Sequence, residues 1–134
     1  MWLTVWSVSW ASATILLVFQ TVLVVDDHPS FRTTARRLLL AEGFDVVGEA
    51  ENGAEAVRKA GELRPDLVLL DVQLPDLNGF EVANVLCRNG SAPAVVLVSS
   101  RDATDYGELI SGCGARGFIP KAELSGASIR ALLL

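Results

Sequence analysis

Three aspartates, a serine and a lysine are the residues whose types and positions are best suited to chemistry. Asp26 and Asp27 follow the apolar run TVLVV, and Asp71 follows the run LVLL. Ser99 follows AVVLV, and Lys121 follows GFIP. If each run is a strand of one parallel sheet, the ends of the strands lie on a single edge, where open α/β sheets bind ligands. The five side chains are then neighbours although they are far apart in the sequence.

Carboxylates gathered in this way require a counter-charge. Three of them within a few ångströms repel one another by roughly 1 to 4 kcal/mol per pair. Mg²⁺ offsets this repulsion, because it prefers oxygen ligands and keeps waters that a phosphate-bearing ligand displaces. Asp71 can then act as a nucleophile towards a phosphoryl donor. The Lys121 ammonium and the Ser99 hydroxyl can bind phosphoryl oxygens.

Each of these residues also has an ordinary structural explanation. Asp27 can cap a helix that begins near Pro29. Ser99 can be a simple strand-end hydroxyl, and Lys121 a solvated charge. Their joint occurrence at the ends of different strands favours a shared site. His28 lies beside two acids, but its place just before Pro29 favours an incidental or outer role over metal binding.

The segments that must position these residues alternate between strand and helix patterns. The predicted strands are Thr21–Val25, Phe44–Val47, Leu67–Leu70, Ala94–Val98 and Gly117–Ile119. The predicted helices start at Pro29, at the cap formed by Asn52 and Glu55, at Phe80 (ending at Arg88), at Asp102, and at Glu123 (ending at Leu134). Five strands alternating with five helices predict a doubly wound parallel sheet with helices on both faces.

Composition and charge limit the class of protein. A chain of 134 residues with 51% hydrophobic and 20% charged residues is long enough for one folded domain. The net charge of −5 argues against nucleic-acid binding by this chain itself. Cys87 and Cys113 lack metal-binding spacing, which predicts reduced thiols in a cytoplasmic protein.

The first 25 residues carry no charge, a length that fits a membrane span. No Lys or Arg flanks them before Arg32, and the core strand would be consumed by such a span, so we expect no membrane insertion. Three interpretations are open for residues 1–20: an apolar extension, a weak membrane or surface anchor, or an extra strand or partner-binding segment. The anchor would use the three tryptophans, Trp2, Trp6 and Trp10. The domain proper is expected to cover residues 21–134.

From about Thr21 to its end, the chain resembles the receiver domain of two-component response regulators. The motifs VLVVDDHP, LVLLDVQLPDLNG, VVLVSS and GFIPK carry this resemblance. It implies a flavodoxin-like receiver fold with strand order 2-1-3-4-5. One departure is Ala122, because proline is frequent after the lysine in this family.

The resemblance also implies roles for individual residues. Asp71 would be the phosphoacceptor, and Asp26, Asp27, Asp71 and the backbone carbonyl of Gln73 would bind Mg²⁺. Ser99 and Lys121 would sense the phosphoryl group, and Phe118 would be an aromatic switch coupled to Ser99. Gln73 and Arg101 would control the rate of dephosphorylation.

The implied function is a signalling switch that modifies only itself. A sensor histidine kinase would donate the phosphoryl group, and homodimers through the face between the fourth and fifth helices are common in similar domains. The DDHP and PKAEL spellings are similar to those of NarL/LuxR-type receivers, so DNA would be bound only through an output domain, which these 134 residues do not contain.

Two alternatives are open. A haloacid-dehalogenase-like Mg²⁺-dependent phosphohydrolase also uses a strand-end aspartate, but it carries a second acid two residues later, where this chain has Gln73. A receiver-like binding module that works without phosphorylation is the other.

Overall fold

The computed structural model describes residues 20–88 and 92–134. The expected extension at residues 1–20 lies outside this range except for Gln20, so its three interpretations stay predictions. Within the described ranges, no helix is both long and apolar enough to cross a membrane.

Five parallel strands form one sheet in the order β2-β1-β3-β4-β5, which confirms the predicted topology. The strands are β1 (Thr21–Val25), β2 (Asp45–Ala50), β3 (Leu67–Asp71), β4 (Ala94–Ser99) and β5 (Gly117–Pro120). β3 pairs with β1 on one side and with β4 on the other, and all five of its residues are buried. The continuous apolar run Leu67–Leu70 suits this position, because a central parallel strand is covered on both faces.

Helices cover both faces of the sheet. They are α1 (Pro29–Ala41), α2 (Gly53–Leu63), α3 (Gly79–Leu86), α4 (Glu108–Gly112) and α5 (Gly126–Leu133). One core cluster packs residues of α1 and α5 against the sheet, with Leu39 and Ile129 fully buried. The other cluster packs residues of α2 and α3 with Cys113, just beyond α4, against the opposite face. The predicted doubly wound arrangement is therefore confirmed.

The second strand is longer than its predicted range, Phe44–Val47. Its pairing with β1 shifts register between Val22 and Leu23, which pair with Val46 and Gly48 respectively. Val47 is thus the extra residue of an irregularity, and the ladder continues to Ala50. A strand prediction that relies on alternating side chains ends at this irregularity, because the alternation is interrupted there.

The helices near the C-terminus also differ from their predicted ranges. The fourth helix is split into a 3₁₀ turn, Ala103–Asp105, and the short α4, because Gly107 between them has φ of +54°. Asp102 precedes the 3₁₀ turn but makes no capping hydrogen bond with its side chain. The last helix begins at Gly126 instead of Glu123, because Ser125 caps it. The third helix ends at Leu86, two residues before the predicted Arg88.

Candidate functional site

The three aspartates converge at the C-terminal edge of the sheet. Asp26 and Asp27 follow β1, and Asp71 ends β3, the neighbouring strand. One ligand atom from each of these carboxylates, together with one from His28, lies within 4.8 Å of the others. The parallel register produces this gathering, since Val25 pairs directly with Leu70.

Asp26 is held rigidly from several directions. Its side chain is fully buried, and its Oδ1 accepts a hydrogen bond of 2.8 Å from the backbone N–H of His28. Its backbone N–H donates to Ala50 in β2, and its carbonyl accepts from the guanidinium of Arg32 on α1 at 2.6 Å. Arg32 is in turn held by Glu49, 3.0 Å from its Nε. The carboxylate of Asp26 therefore points in a fixed direction.

Lys121 brings a positive charge to the same place from the end of β5. Its Nζ lies 2.6 Å from Oδ2 of Asp26 and 3.5 Å from Oδ2 of Asp71. The ammonium also lies 4.4 Å from the ring centroid of Phe31 on α1, a cation–π contact. The side chain of Lys121 is 19% exposed, so these interactions are only partly screened by water.

Asp71 is 2% exposed, and its environment disfavours ionisation. Burial, followed by the nearby charge of Asp26, raises the pKa of Asp71 from 3.8 to about 6. Lys121 and the backbone N–H of Gln73, which donates to Oδ1 at 3.3 Å, oppose this rise. Asp71 is therefore a buried carboxylate that is still ionised at neutral pH.

The donor set fits a divalent metal ion. Two buried carboxylate oxygens, Oδ2 of Asp26 and Oδ1 of Asp27, receive no hydrogen bond. Lys121 lies 2.6 Å from the first of them and Nδ1 of His28 lies 3.0 Å from the second, but neither contact has hydrogen-bond geometry. Buried anionic oxygens without donors are costly, and a hard cation with oxygen preference would satisfy them.

The loop after β3 is fixed by contacts that the sequence pattern does not predict. Asp76 accepts hydrogen bonds from the backbone N–H groups of Gly53 and Ala54, at 2.7 and 2.9 Å, and so caps α2. These bonds lower the pKa of Asp76. Gly79 donates to the carbonyl of Val72 at 2.7 Å, and a Cβ on Gly79 would lie 2.5 Å from the carbonyl oxygen of Asp71. Only glycine allows this approach.

Ser99 is fully buried at the end of β4, and its hydroxyl has two partners. The Oγ accepts from the backbone N–H of Arg101 at 3.1 Å and lies 2.8 Å from the hydroxyl of Tyr106. Tyr106 is not among the site residues predicted from the sequence. The signal that was available is its identity as the single tyrosine of the chain, located shortly after the fourth strand.

The other predicted residues lie around this centre. Phe118 in β5 is half-buried with its ring centroid 5.6 Å from that of Tyr106. Gln73 and Arg101 are exposed on the loops after β3 and β4. His28 is closer than expected for an incidental residue, because its Nδ1 lies 3.1 Å from Asp26 and 3.0 Å from Asp27. Its side chain is 66% exposed, which agrees with an outer position.

Comparison with known proteins identifies the family. A family model described as the response regulator receiver domain matches residues 22–132. EvgA of Escherichia coli K12, named a DNA-binding transcriptional activator, is 32% identical over 101 residues, which cover 75% of this chain and 50% of EvgA. BvgA of Bordetella pertussis is 36% identical over 106 residues, covering 79% of this chain and 51% of BvgA.

A solved structure gives the same result. The crystal structure of a LuxR-family two-component response regulator from Aurantimonas sp. SI85-9A1 has a TM-score of 0.76 at 30% identity, covering 84% of each chain. The chain spans about half the length of EvgA and BvgA. With this fold, this edge of acidic residues and these matches, the chain belongs to the response regulator receiver domain family of two-component signalling.

Proposed function

We propose that this receiver domain accepts a phosphoryl group on Asp71 and converts the modification into a conformational change that controls an output. One observation carries the proposal. Ligand atoms of Asp26, Asp27 and Asp71 gather within 4.8 Å of one another, with the Lys121 ammonium against two of these carboxylates. Such a set combines a nucleophile, ligands for a metal ion and a cation for phosphoryl oxygen.

Asp71 is the nucleophile in this proposal. One of its carboxylate oxygens attacks the phosphorus of the donor, and the bond from phosphorus to the leaving group breaks, with the electron pair going to the leaving group. Lys121 then pairs with one oxygen of the acyl phosphate, and the Ser99 hydroxyl donates to another. Lys121 is already 3.5 Å from Asp71, so only a small movement is required.

Asp26, Asp27, Asp71 and the backbone carbonyl of Gln73 would hold Mg²⁺. When bound, the ion neutralises the clustered carboxylates and the charge of the incoming phosphoryl group. Oδ2 of Asp26 and Oδ1 of Asp27, which receive no hydrogen bond, support this assignment.

The conformational readout is assigned to the side of the sheet near α4 and β5. Phe118 turns inward once Ser99 has moved to the phosphoryl group, and the surface between α4 and α5 changes. A homodimer through this face would then depend on phosphorylation. Sedimentation velocity with and without beryllofluoride tests this, and an unchanged monomer would remove the dimer from the proposal.

The partners follow from the same proposal. A sensor histidine kinase supplies the phosphoryl group, and contact with DNA occurs only through an output domain. EvgA, about twice the length of the matched region, is named a DNA-binding transcriptional activator, which supports an output of this kind. The net charge of −5 agrees with a domain that does not itself bind DNA.

Gln73 and Arg101 are proposed to set the lifetime of the phosphorylated state. Both are exposed and lie two residues beyond Asp71 and Ser99, a placement from which their side chains could control the approach of water to the phosphoryl group. Exchanging both residues should change the rate of dephosphorylation. An unchanged rate would contradict this role.

The decisive test is incubation with acetyl phosphate and Mg²⁺, followed by intact mass spectrometry. We expect one phosphoryl group per chain, lost in Asp71→Asn and absent when Mg²⁺ is chelated. Rapid release of phosphate without any accumulation of phosphorylated protein would instead indicate the phosphohydrolase, although Gln73 stands where that class needs an acid. No modification at all would indicate a module that works without phosphorylation.

A further inference from the structure

The single tyrosine of the chain is hydrogen-bonded to a residue of the candidate site. Tyr106 lies in the connection between β4 and α4, and its hydroxyl is 2.8 Å from Oγ of Ser99. Ser99 is completely buried, so water does not compete for this bond from the serine side. Within the described part of the chain, the partners of the Ser99 hydroxyl are Tyr106 and the N–H of Arg101.

The ring of Tyr106 also contacts two aromatic side chains. It packs edge-on against Phe80 of α3 with centroids 5.2 Å apart, and in a tilted arrangement against Phe118 of β5 with centroids 5.6 Å apart. Tyr106 therefore connects Ser99, α3 and β5 through a single side chain. Aromatic pairs of this geometry add to the stability gained by burial alone.

The ring also forms part of the surface. Tyr106 and Phe80 both line a groove of about 700 Å³ between α3 and α4, together with Leu109 and Cys113. A movement of Tyr106 would change the shape of this groove.

We propose that Tyr106 is a positioning residue that holds Ser99 in its unphosphorylated arrangement and is released when Asp71 is modified. This inference rests on the proposed function, since the phosphoryl group is the competitor for the serine hydroxyl. A hydroxyl that turns to donate to a phosphoryl oxygen gives up its bond to Tyr106. The phenol then loses its buried partner, and the ring moves with respect to Phe80 and Phe118.

The assignment predicts a cost to activation. Reaching the active arrangement requires breaking one neutral hydrogen bond between Ser99 and Tyr106. Such a bond contributes modestly, so its removal should favour the active state by about two- to tenfold. Tyr106→Phe is the matched variant, because it keeps the ring and removes only the hydroxyl.

The test uses the protein labelled with 3-fluorotyrosine, which gives one ¹⁹F signal because the chain contains one tyrosine. Titration with beryllofluoride and Mg²⁺ should shift this signal in parallel with binding. In unlabelled protein, Tyr106→Phe should bind beryllofluoride about two- to tenfold more tightly than the natural sequence. In a Ser99→Ala background, Tyr106→Phe should give no further change.

The possible failures are distinguishable. One failure is that beryllofluoride binds in an Asp71-dependent manner but the ¹⁹F signal does not shift. Another is that Tyr106→Phe binds beryllofluoride as tightly as the natural sequence or more weakly. In either case the role of Tyr106 is wrong and the phosphoacceptor function stands. An equal effect of Tyr106→Phe with and without Ser99 would also overturn the proposal. If the natural sequence does not bind beryllofluoride, the proposed function itself fails, and this inference fails with it.

Discussion

Lys121 and Asp26 form an ion pair of 2.6 Å between the ends of β5 and β1, which are not neighbours in the sheet. The pair crosses over the ends of β3 and β4 and places the ammonium beside Asp71. In the absence of a metal ion, Lys121 is thus the charge that opposes the repulsion between Asp26 and Asp71. Lys121 therefore lies at the centre of the site, and the contacts that hold its side chain in place are important for the geometry of the site.

Phe31 should help to hold Lys121 in place. A cation–π contact contributes about 0.5 to 2 kcal/mol, depending on its exposure to water. We expect Phe31→Leu to lower the free energy of unfolding, and part of this loss to disappear in a Lys121→Met background. Urea denaturation of the two single variants and the double variant measures the coupling. Phe31→Tyr keeps the aromatic face and serves as the control. A coupling energy of zero would show that Phe31 acts only as a packing residue.

Asp71 should destabilise the metal-free protein at neutral pH. Its pKa is raised from 3.8 to about 6, so the folded state binds its proton more tightly than the unfolded state. The stability linked to this proton is fully present below about pH 4 and is lost as the pH rises through about 6. Asp71→Asn should therefore raise the free energy of unfolding at pH 7 by about 2 to 3 kcal/mol, and by little at pH 4.

Denaturation in the presence of a chelator, at both pH values, measures this difference. Asp105→Asn, at an exposed acid in the 3₁₀ turn, is the control for a general change of charge. A gain for Asp71→Asn that is equal at the two pH values would contradict the assigned cause.

Gly79 should not tolerate a side chain. A Cβ there would lie 2.5 Å from the carbonyl oxygen of Asp71 and 2.7 Å from Cα of Val72, and backbone atoms cannot move aside cheaply. We expect Gly79→Ala to lower the free energy of unfolding by about 1 to 3 kcal/mol and to weaken Mg²⁺ binding, because Asp71 is displaced. Gly61→Ala is a suitable control, since nothing lies within 4 Å of its added Cβ. Normal stability of Gly79→Ala would refute the close approach.

Asp76 should stabilise α2 in a pH-dependent manner. Hydrogen bonds from the backbone of Gly53 and Ala54 lower its pKa, so its contribution is present above the unfolded value of 3.8 and is lost as the pH falls through the folded value. We expect Asp76→Ala to lower the Tm at pH 7 and to lose this effect in acid, as followed by circular dichroism. Asp102→Ala is the matched control, since Asp102 precedes a 3₁₀ turn without a capping bond. Equal effects of the two substitutions would argue against the cap.

The gathering of Asp26, Asp27 and Asp71 was predictable from the sequence because it depends on one rule, that parallel strands end on the same edge. The apolar runs before these residues are long enough to identify the strands. The same logic predicted Lys121, although its close contact with Asp26 across two intervening strands was not predicted.

The contacts of Tyr106, Phe31 and Asp76 could not be predicted in this way. Tyr106 reaches Ser99 through an irregular connection, which has no periodic pattern to follow. Phe31 fits the apolar spacing of α1, and this spacing predicts only that it packs against the core. Its contact with Lys121 cannot be predicted from the same pattern. Asp76 caps a helix that precedes it in the chain, whereas capping patterns are recognised only when the cap directly precedes its own helix.

The position of β3 has a further consequence for how a signal leaves the site. Asp71 stands on a fully buried strand between two others, so the backbone that carries it is packed on both faces and paired on both edges. A conformational change caused by a new charge on its side chain therefore does not pass through the sheet. It passes along the C-terminal edge of the sheet, into connections that are less tightly packed. The acceptor is thus mechanically separate from the connection after β4, which can be altered without disturbing Asp71.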